Sequence, residues 1–151
     1  MERLEAKTPM VNDLIQINYD RIAGYEKAIS ILTKEDADLK TIFQDFINQS
    51  NQFIKELKKE IQHEGVTPAT SSSFEGKIYR TWMDIKVLFT GDDRKAILKS
   101  CLKGEDAAYI TYALAEKTEE LPSDTRFLIA QQKQQLRIAN NKIKTLNDLE
   151  T

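Results

Sequence analysis

A single carboxylate interrupts an apolar helical stripe in the segment SCLKGEDAAYITYALAEKT, residues 100–118. The stripe begins three residues before this segment, at Ile97. The apolar residues of the stripe recur at steps of three and four, the spacing of one helix face: Ile97, Cys101, Ala108, Tyr112 and Ala115. Glu105 occupies the position where a further apolar residue is expected. Such a carboxylate can bind a metal ion, act as a catalytic acid, or serve as a buried polar group that fixes helix register.

Each of the other main helical patterns also carries one polar residue on its apolar stripe. Counting from the predicted turns places these residues at similar heights, so we predict a polar layer across the middle of a helical bundle. We expect Glu105 to be satisfied there by Asn18, Gln132, a tyrosine hydroxyl such as that of Tyr112, or water. Glu105→Leu should then be tolerated or stabilising. The predicted layer consists of Asn18, Ser50, Glu105 and Gln132.

A di-metal centre in a helical bundle needs more than one carboxylate at this height. Ferritin-like proteins supply a Glu from each of two helices and Glu-x-x-His pairs from the other two. Near Ser50 and Gln132 the sequence instead reads NQSNQ and QQKQQ, and the only histidine, His63, lies at the predicted end of a helix. Neutral amides do not balance two divalent cations. The residues therefore argue against a normal di-iron centre.

Composition excludes several classes of protein. The chain has 151 residues, a formal charge of -2 and a pI near 5.5, which argues against nucleic-acid binding. No apolar run reaches the roughly 20 residues that span a bilayer, and the first ten residues lack a secretory signal. One cysteine permits neither an internal disulfide nor a thiolate zinc cluster. We therefore expect a cytoplasmic protein of bacterial type without membrane or nucleic-acid partners.

Helical periodicity and short connections predict one all-α domain over residues 1–151. Short links make the first two helices, and the last two, antiparallel hairpins. The long passage between these hairpins predicts the ferritin-like variant of the four-helix bundle, with one crossover. The expected main helices cover about 9–32, 35–64, 92–119 and 122–148, and a crossover helix covers about 74–89.

The predicted crossover helix is the best candidate for a contact surface. Arg80 and Trp82 stand out there, and Tyr79, Met83 and Val87 are further apolar contacts that this helix can expose. The alternative, which the residues favour, is that this helix packs over the bundle as a lid. A homodimer is the expected assembly, because most soluble oligomers are symmetric homo-oligomers.

The chain resembles a bacterial family of ferritin-like four-helix-bundle proteins of unknown function, and the likeness spans nearly its whole length. The resemblance implies a helical bundle within the ferritin-like superfamily, without supplying a reaction. It also makes Glu105 the residue most similar to a superfamily metal ligand, with Glu26 second. The segments that carry it, besides the glutamine-rich last helix, are NDLIQINYDRIAGYEKAI, GKIYRTWMDIK and FTGDDRKAILKSCLKGEDAAYITYAL.

Two functional hypotheses follow. The first is a non-catalytic helical protein that acts by associating with itself or with another protein, and it requires no cofactor. The alternative is a metal-binding ferritin-like protein or oxidoreductase with a degenerate carboxylate site, which would hold Fe, Mn or Zn at Glu105 and Glu26. The residues name no catalytic group and favour the first hypothesis.

Overall fold

The computed structural model describes residues 2–62 and 93–150, with side chains from residues 7 and 94 onward in the two segments. Within these residues the backbone forms four long helices and no strand, which confirms the predicted all-α class. A 3-10 turn at Lys34–Asp36 precedes the second helix. The helices are α1 (Glu2–Ser30), α2 (Ala37–Ile61), α3 (Asp93–Glu116) and α4 (Ser123–Leu149).

The first helix is longer than the sequence pattern predicted. It begins at Glu2 rather than near residue 9, so Pro9 lies inside the helix instead of at its first position. Proline lacks one backbone N–H and therefore removes one helical hydrogen bond, and α1 continues through this position. The bounds of α2, α3 and α4 lie within a few residues of those expected. The crossover helix predicted over 74–89 lies outside the described residues.

Side-chain hydrogen bonds between helices fix their relative directions. Asn18 of α1 binds Tyr112 of α3, whereas Arg21, which comes later in α1, binds Glu105, which comes earlier in α3. Helix α1 is therefore antiparallel to α3. It is also antiparallel to α2, because Tyr19 meets Lys58 while Arg21 meets a residue earlier in α2. Helices α2 and α3 consequently run in the same direction.

Helix α4 completes the arrangement. Its contacts with α3 again run in opposite order, since Gln132 meets Tyr112 and Arg137 meets Tyr109. All four helices contribute to the apolar core. No helix in the described part of the chain is long and apolar enough to cross a membrane.

The buried apolar residues form two clusters, one toward each end of the helices. The cluster near the α1–α2 turn includes Leu39, Phe43 and Ile97, and the cluster near the α3–α4 turn includes Leu57 and Ile129. Burial of these side chains supplies the main favourable free energy of folding. Buried polar side chains of all four helices lie between or beside the two clusters.

Arg94, at the start of α3, ties three parts of the chain together. Its guanidinium donates to Asp36 at 3.2 Å and to Asp38 at 2.8 and 2.9 Å, so it binds the α1–α2 turn. It also pairs with Glu150 just beyond α4. Asp36 in turn accepts hydrogen bonds from the backbone N–H and hydroxyl of Thr33, which caps the turn. This end of the molecule is therefore held by charged hydrogen bonds at the surface.

Candidate functional site: two buried polar clusters

The centre of the molecule holds an ion pair between α1 and α3. The Nε of Arg21 donates to Glu105 Oε1 at 2.6 Å, and its Nη2 donates to Glu105 Oε2 at 3.3 Å. Both residues are 0% exposed. Two N–H groups of one guanidinium thus bind both oxygens of one carboxylate, the geometry in which arginine binds carboxylates most specifically.

The remaining contacts of Arg21 close this charged cluster from the side of α2. Its Nη1 donates to Ser50 Oγ at 2.8 Å and to the Phe46 carbonyl at 3.2 Å. The guanidinium carbon lies 5.5 Å from the ring centre of Tyr25 and 5.3 Å from that of Phe46, so aromatic rings also cover the cation. We call Arg21, Tyr25, Ser50 and Glu105 the charged cluster.

The electrostatics of the charged cluster are dominated by this pairing. Burial alone lowers the pKa of Arg21, but attraction to the Glu105 carboxylate and its hydrogen bond outweigh burial, so the pKa is raised overall. Burial raises the pKa of the Tyr25 hydroxyl well above its usual value, and the negative charge of Glu105 raises it further. Arg21 therefore stays protonated and Tyr25 stays neutral in the folded protein.

A second cluster, made of neutral groups, lies beside the first. Asn18 Nδ2 donates to the Leu14 carbonyl and to the Tyr112 hydroxyl, each at 2.8 Å. Tyr112 donates to Gln132 Oε1 at 2.6 Å, and Gln132 Nε2 donates to Glu56 Oε1 at 3.0 Å. Burial raises the pKa of Tyr112, although the hydrogen bond from Asn18 opposes this shift. We call Asn18, Tyr112 and Gln132 the neutral chain.

The direction of every hydrogen bond in the neutral chain is fixed by its ends. The Leu14 carbonyl can only accept, which assigns the amide nitrogen of Asn18, and the carboxylate of Glu56 likewise assigns that of Gln132. Tyr112 must then donate its one O–H to Gln132. The chain therefore runs from buried Asn18 to partly exposed Glu56. Amides at two positions do not carry protons along it as a hydroxyl or carboxyl would.

The four residues of the predicted layer are all buried, but they do not form one group. Ser50 and Glu105 meet through Arg21, whereas Asn18 and Gln132 meet through Tyr112. Asn18, Gln132 and Tyr112 were wrong as partners of Glu105. Its carboxylate is held by a guanidinium, while the amides and hydroxyl expected around it bind one another.

Sequence reasoning missed Arg21, the residue that organises the charged cluster. A signal was present, because Arg21 follows Asn18 by three positions and precedes Tyr25 by four, which is the spacing of one helix face. Arginine is almost never fully buried unless it is paired, so its residue type alone does not predict burial. A buried carboxylate on one helix and an arginine on the buried face of another together predict a buried ion pair.

The second candidate ligand, Glu26, does not join Glu105. Glu26 is exposed on α1, one position beyond Tyr25, while Glu105 is fully buried. The candidate contact residues Arg80 and Trp82, and with them Tyr79, Met83 and Val87, lie outside the described residues.

The donor set at Glu105 does not fit a metal ion of the ferritin-like type. Both carboxylate oxygens are bound by Arg21, whose positive charge already balances them. Among residues 7–62 and 94–150, no three histidine, cysteine, aspartate or glutamate side chains are grouped as a metal site requires. One Glu-x-x-His spacing does occur, from Glu60 to His63, at the far end of α2. Glu60 accepts a hydrogen bond from Thr125 at 2.7 Å, and His63 is outside the described residues.

Comparison with known proteins gives a family and a fold. The profile of a family described as "Domain of unknown function (DUF2383)" matches residues 8–117. No curated protein matches the chain. The crystal structure of a conserved hypothetical protein, Rv2844, from Mycobacterium tuberculosis is similar, with a TM-score of 0.72 and 10% sequence identity. The match covers 94% of this chain and 97% of that one, and at this identity it shows the fold alone. Because the family profile spans most of its length, this chain belongs to the DUF2383 family.

Proposed function

We propose that this protein is a non-catalytic four-helix bundle of the ferritin-like type that acts by associating with a second copy of itself. In this proposal the buried polar clusters maintain the structure, no metal or other cofactor is required, and the protein works in the bacterial cytoplasm without nucleic-acid partners. Its single cysteine, Cys101, is buried, which suits a reducing compartment.

The helix directions support the ferritin-like arrangement. Two antiparallel pairs, α1 with α2 and α3 with α4, are combined so that α2 and α3 run the same way. In a four-helix bundle this arrangement needs one long connection between the pairs, and 31 residues separate the end of α2 from the start of α3. An up-down-up-down bundle would instead have α2 and α3 antiparallel.

The observation that carries the non-catalytic proposal is the Arg21–Glu105 pair. In a metal-carrying bundle a carboxylate at this height faces a cation, and here a guanidinium supplies that positive charge. Ser50 and aromatic rings cover the guanidinium, and each oxygen of Glu105 accepts one N–H of Arg21. A buried ion pair of this kind is best attested as a device for specifying helix register.

The association part of the proposal rests on the outer surfaces of α3 and α4. Five large apolar side chains there are more than half exposed, and they are the apolar groups that these surfaces offer to a partner. They are Ile110, Leu114, Phe127, Ile138 and Leu149.

Elemental analysis tests the non-catalytic proposal. Protein purified from cells grown with added iron, manganese and zinc should contain none of these metals in stoichiometric amounts. Glu105→Gln and Glu26→Gln serve as a matched pair, because one removes the buried carboxylate and the other an exposed one on α1. Stoichiometric metal that is lost in Glu105→Gln and kept in Glu26→Gln would establish the metal-binding alternative instead.

A further inference from the structure

Helix α1 has no side that faces solvent over its middle three turns. From Leu14 to Tyr25 every residue is buried or partly buried. A helix on the outside of a bundle ordinarily keeps one polar side in water. The other three helices do so at the same height, and their exposed residues there include Gln52 and Lys55 on α2, Lys103 and Ile110 on α3, and Gln134 and Ile138 on α4. The outer side of α1 is therefore covered.

Asp20 lies at the centre of this covered side. Successive residues of a helix are about 100° apart, so Asp20 lies nearly opposite Asn18, which faces the core. Asp20 is nevertheless only 1% exposed. Gln16, Ala23 and Lys27 share its side of α1 and are partly buried. We call Gln16, Asp20, Ala23 and Lys27 the outer face of α1.

The other described helices lie on different sides of α1. Helices α2 and α3 reach α1 at Asn18 and Arg21. Helix α4 lies across the bundle, where Gln132 contacts Tyr112 of α3 and Glu56 of α2. These exposures are those of a single chain, so the cover belongs to the same chain. Outside the described ranges, only residues 63–92 are numerous enough to cover three helical turns.

The two ends of this segment agree with such a path. Helix α2 ends beside the start of α4, where Glu60 meets Thr125, and α3 starts beside the α1–α2 turn, where Arg94 meets Asp36. Residues 63–92 therefore connect opposite ends of the bundle, a distance of about 37 Å for the 25 residues of α2. The connection can pass over α1 or over α4, and the outer side of α4 is exposed.

We infer that residues 63–92 cross the outer face of α1 and that Arg80 supplies the positive charge that pairs with Asp20. A buried carboxylate without a counter-charge is strongly destabilising. The segment contains three cationic residues, Lys77, Arg80 and Lys86. Arginine suits a buried pair best, because its guanidinium is always charged and is more weakly hydrated than an ammonium group.

This inference is independent of the proposed self-association, but it limits the surfaces available for that association. The outer face of α1 is occupied from within the chain. The exposed apolar residues of α3 and α4 are then the ones left for a partner.

Site-specific photo-crosslinking tests which helix the segment crosses. A diazirine-bearing lysine analogue replaces Lys27 on the outer face of α1, or Lys142 at an exposed position of α4 as the matched control. After irradiation, mass spectrometry of the monomer should find the Lys27 analogue joined to a peptide from residues 63–92, and the Lys142 analogue joined to none of that segment. Circular dichroism verifies that both labelled proteins keep their helices.

Three results would overturn the path over α1. The first is a crosslink to residues 63–92 from position 142 and none from position 27, which would place the connection over α4. The second is the absence of any crosslink between position 27 and this segment. The third is a covalent dimer as the main product from position 27, which would make a second copy the occupant of the outer face of α1.

A double-mutant cycle tests the pairing of Asp20 with Arg80. Asp20→Asn and Arg80→Met should each lower the urea midpoint by about 1 M or more, since each leaves one buried charge, and the double variant should recover most of the loss. Asp45→Asn, the same change at an exposed position of α2, should shift the midpoint by less than about 0.3 M. Losses that add in the double variant would overturn the pairing with Arg80, and an Asp20→Asn midpoint equal to that of Asp45→Asn would overturn it as well.

Discussion

The charged cluster and the neutral chain lie side by side and bury polar groups in different ways. In the charged cluster one cation and one anion share two hydrogen bonds, and Ser50 and the Phe46 carbonyl accept from Nη1 of the guanidinium. The neutral chain contains no charged member and reaches Glu56, which is partly exposed. The first cluster is closed, and the second opens toward the surface at one end.

The two clusters differ in the free energy of unfolding that is lost when one member is removed. Deleting either ion of a buried pair leaves the other charge without compensation, which costs much more than the pair contributed. Deleting a hydroxyl from the neutral chain leaves unsatisfied but uncharged groups, a smaller penalty. The clusters should therefore respond very differently to substitutions of similar size.

The largest effect is expected for Glu105→Leu. The sequence alone suggested that this change would be tolerated, but the pairing with Arg21 reverses that expectation. The variant should lose about 3–5 kcal/mol of unfolding free energy, because the guanidinium stays buried without its counter-charge. Urea denaturation followed by circular dichroism measures the loss. Glu26→Leu, at an exposed position of α1, should change stability by less than about 0.5 kcal/mol. Equal stability of the two variants would contradict the account.

A moderate effect is expected for Tyr112→Phe. The change removes one hydroxyl that accepts from Asn18 and donates to Gln132, so two buried amides lose a partner. The expected cost is about 1–3 kcal/mol in the same denaturation experiment. Tyr109→Phe is the control, because within the described part of the chain the hydroxyl of Tyr109 forms its hydrogen bond with the exposed side chain of Arg137. A loss for Tyr112→Phe as large as that for Glu105→Leu would remove the distinction between the clusters.

The smallest effect concerns the surface ion pairs of Arg94. The hydrogen bond from Arg94 lowers the pKa of Asp38 below its usual value. A carboxyl whose folded pKa is lowered stabilises the protein above its unfolded pKa, and this stabilisation is lost as pH falls through the folded value. Stability should therefore decline below about pH 4, and the decline should be slightly shallower in Asp38→Asn. Urea midpoints at several acidic pH values measure this. An identical acid dependence in both proteins would show that this exposed pair contributes nothing.

Sequence periodicity was sufficient to predict the four main helices, apart from the start of α1, because long amphipathic patterns are strong local signals. It also predicted that Asn18, Ser50, Glu105 and Gln132 occupy buried stripes. It did not predict how these residues are grouped. Side chains on different helices pair according to the rotation and relative height of the helices, and the sequence gives the relative height only to within about one helical turn. Arg21 was overlooked for the same reason. Its burial depends on a carboxylate 84 positions away, so its spacing from Asn18 and Tyr25 shows only that the three residues share a helix face.

A double-mutant cycle at Arg21 and Glu105 tests most directly whether the charged cluster is one structural unit. Arg21→Met and Glu105→Leu should each lower the unfolding free energy by about 3–5 kcal/mol, because each leaves an uncompensated buried charge. The double variant, with both charges replaced by apolar groups, should be close to the unmodified protein or more stable. Losses that simply add in the double variant would show that the two side chains act independently and would contradict the account.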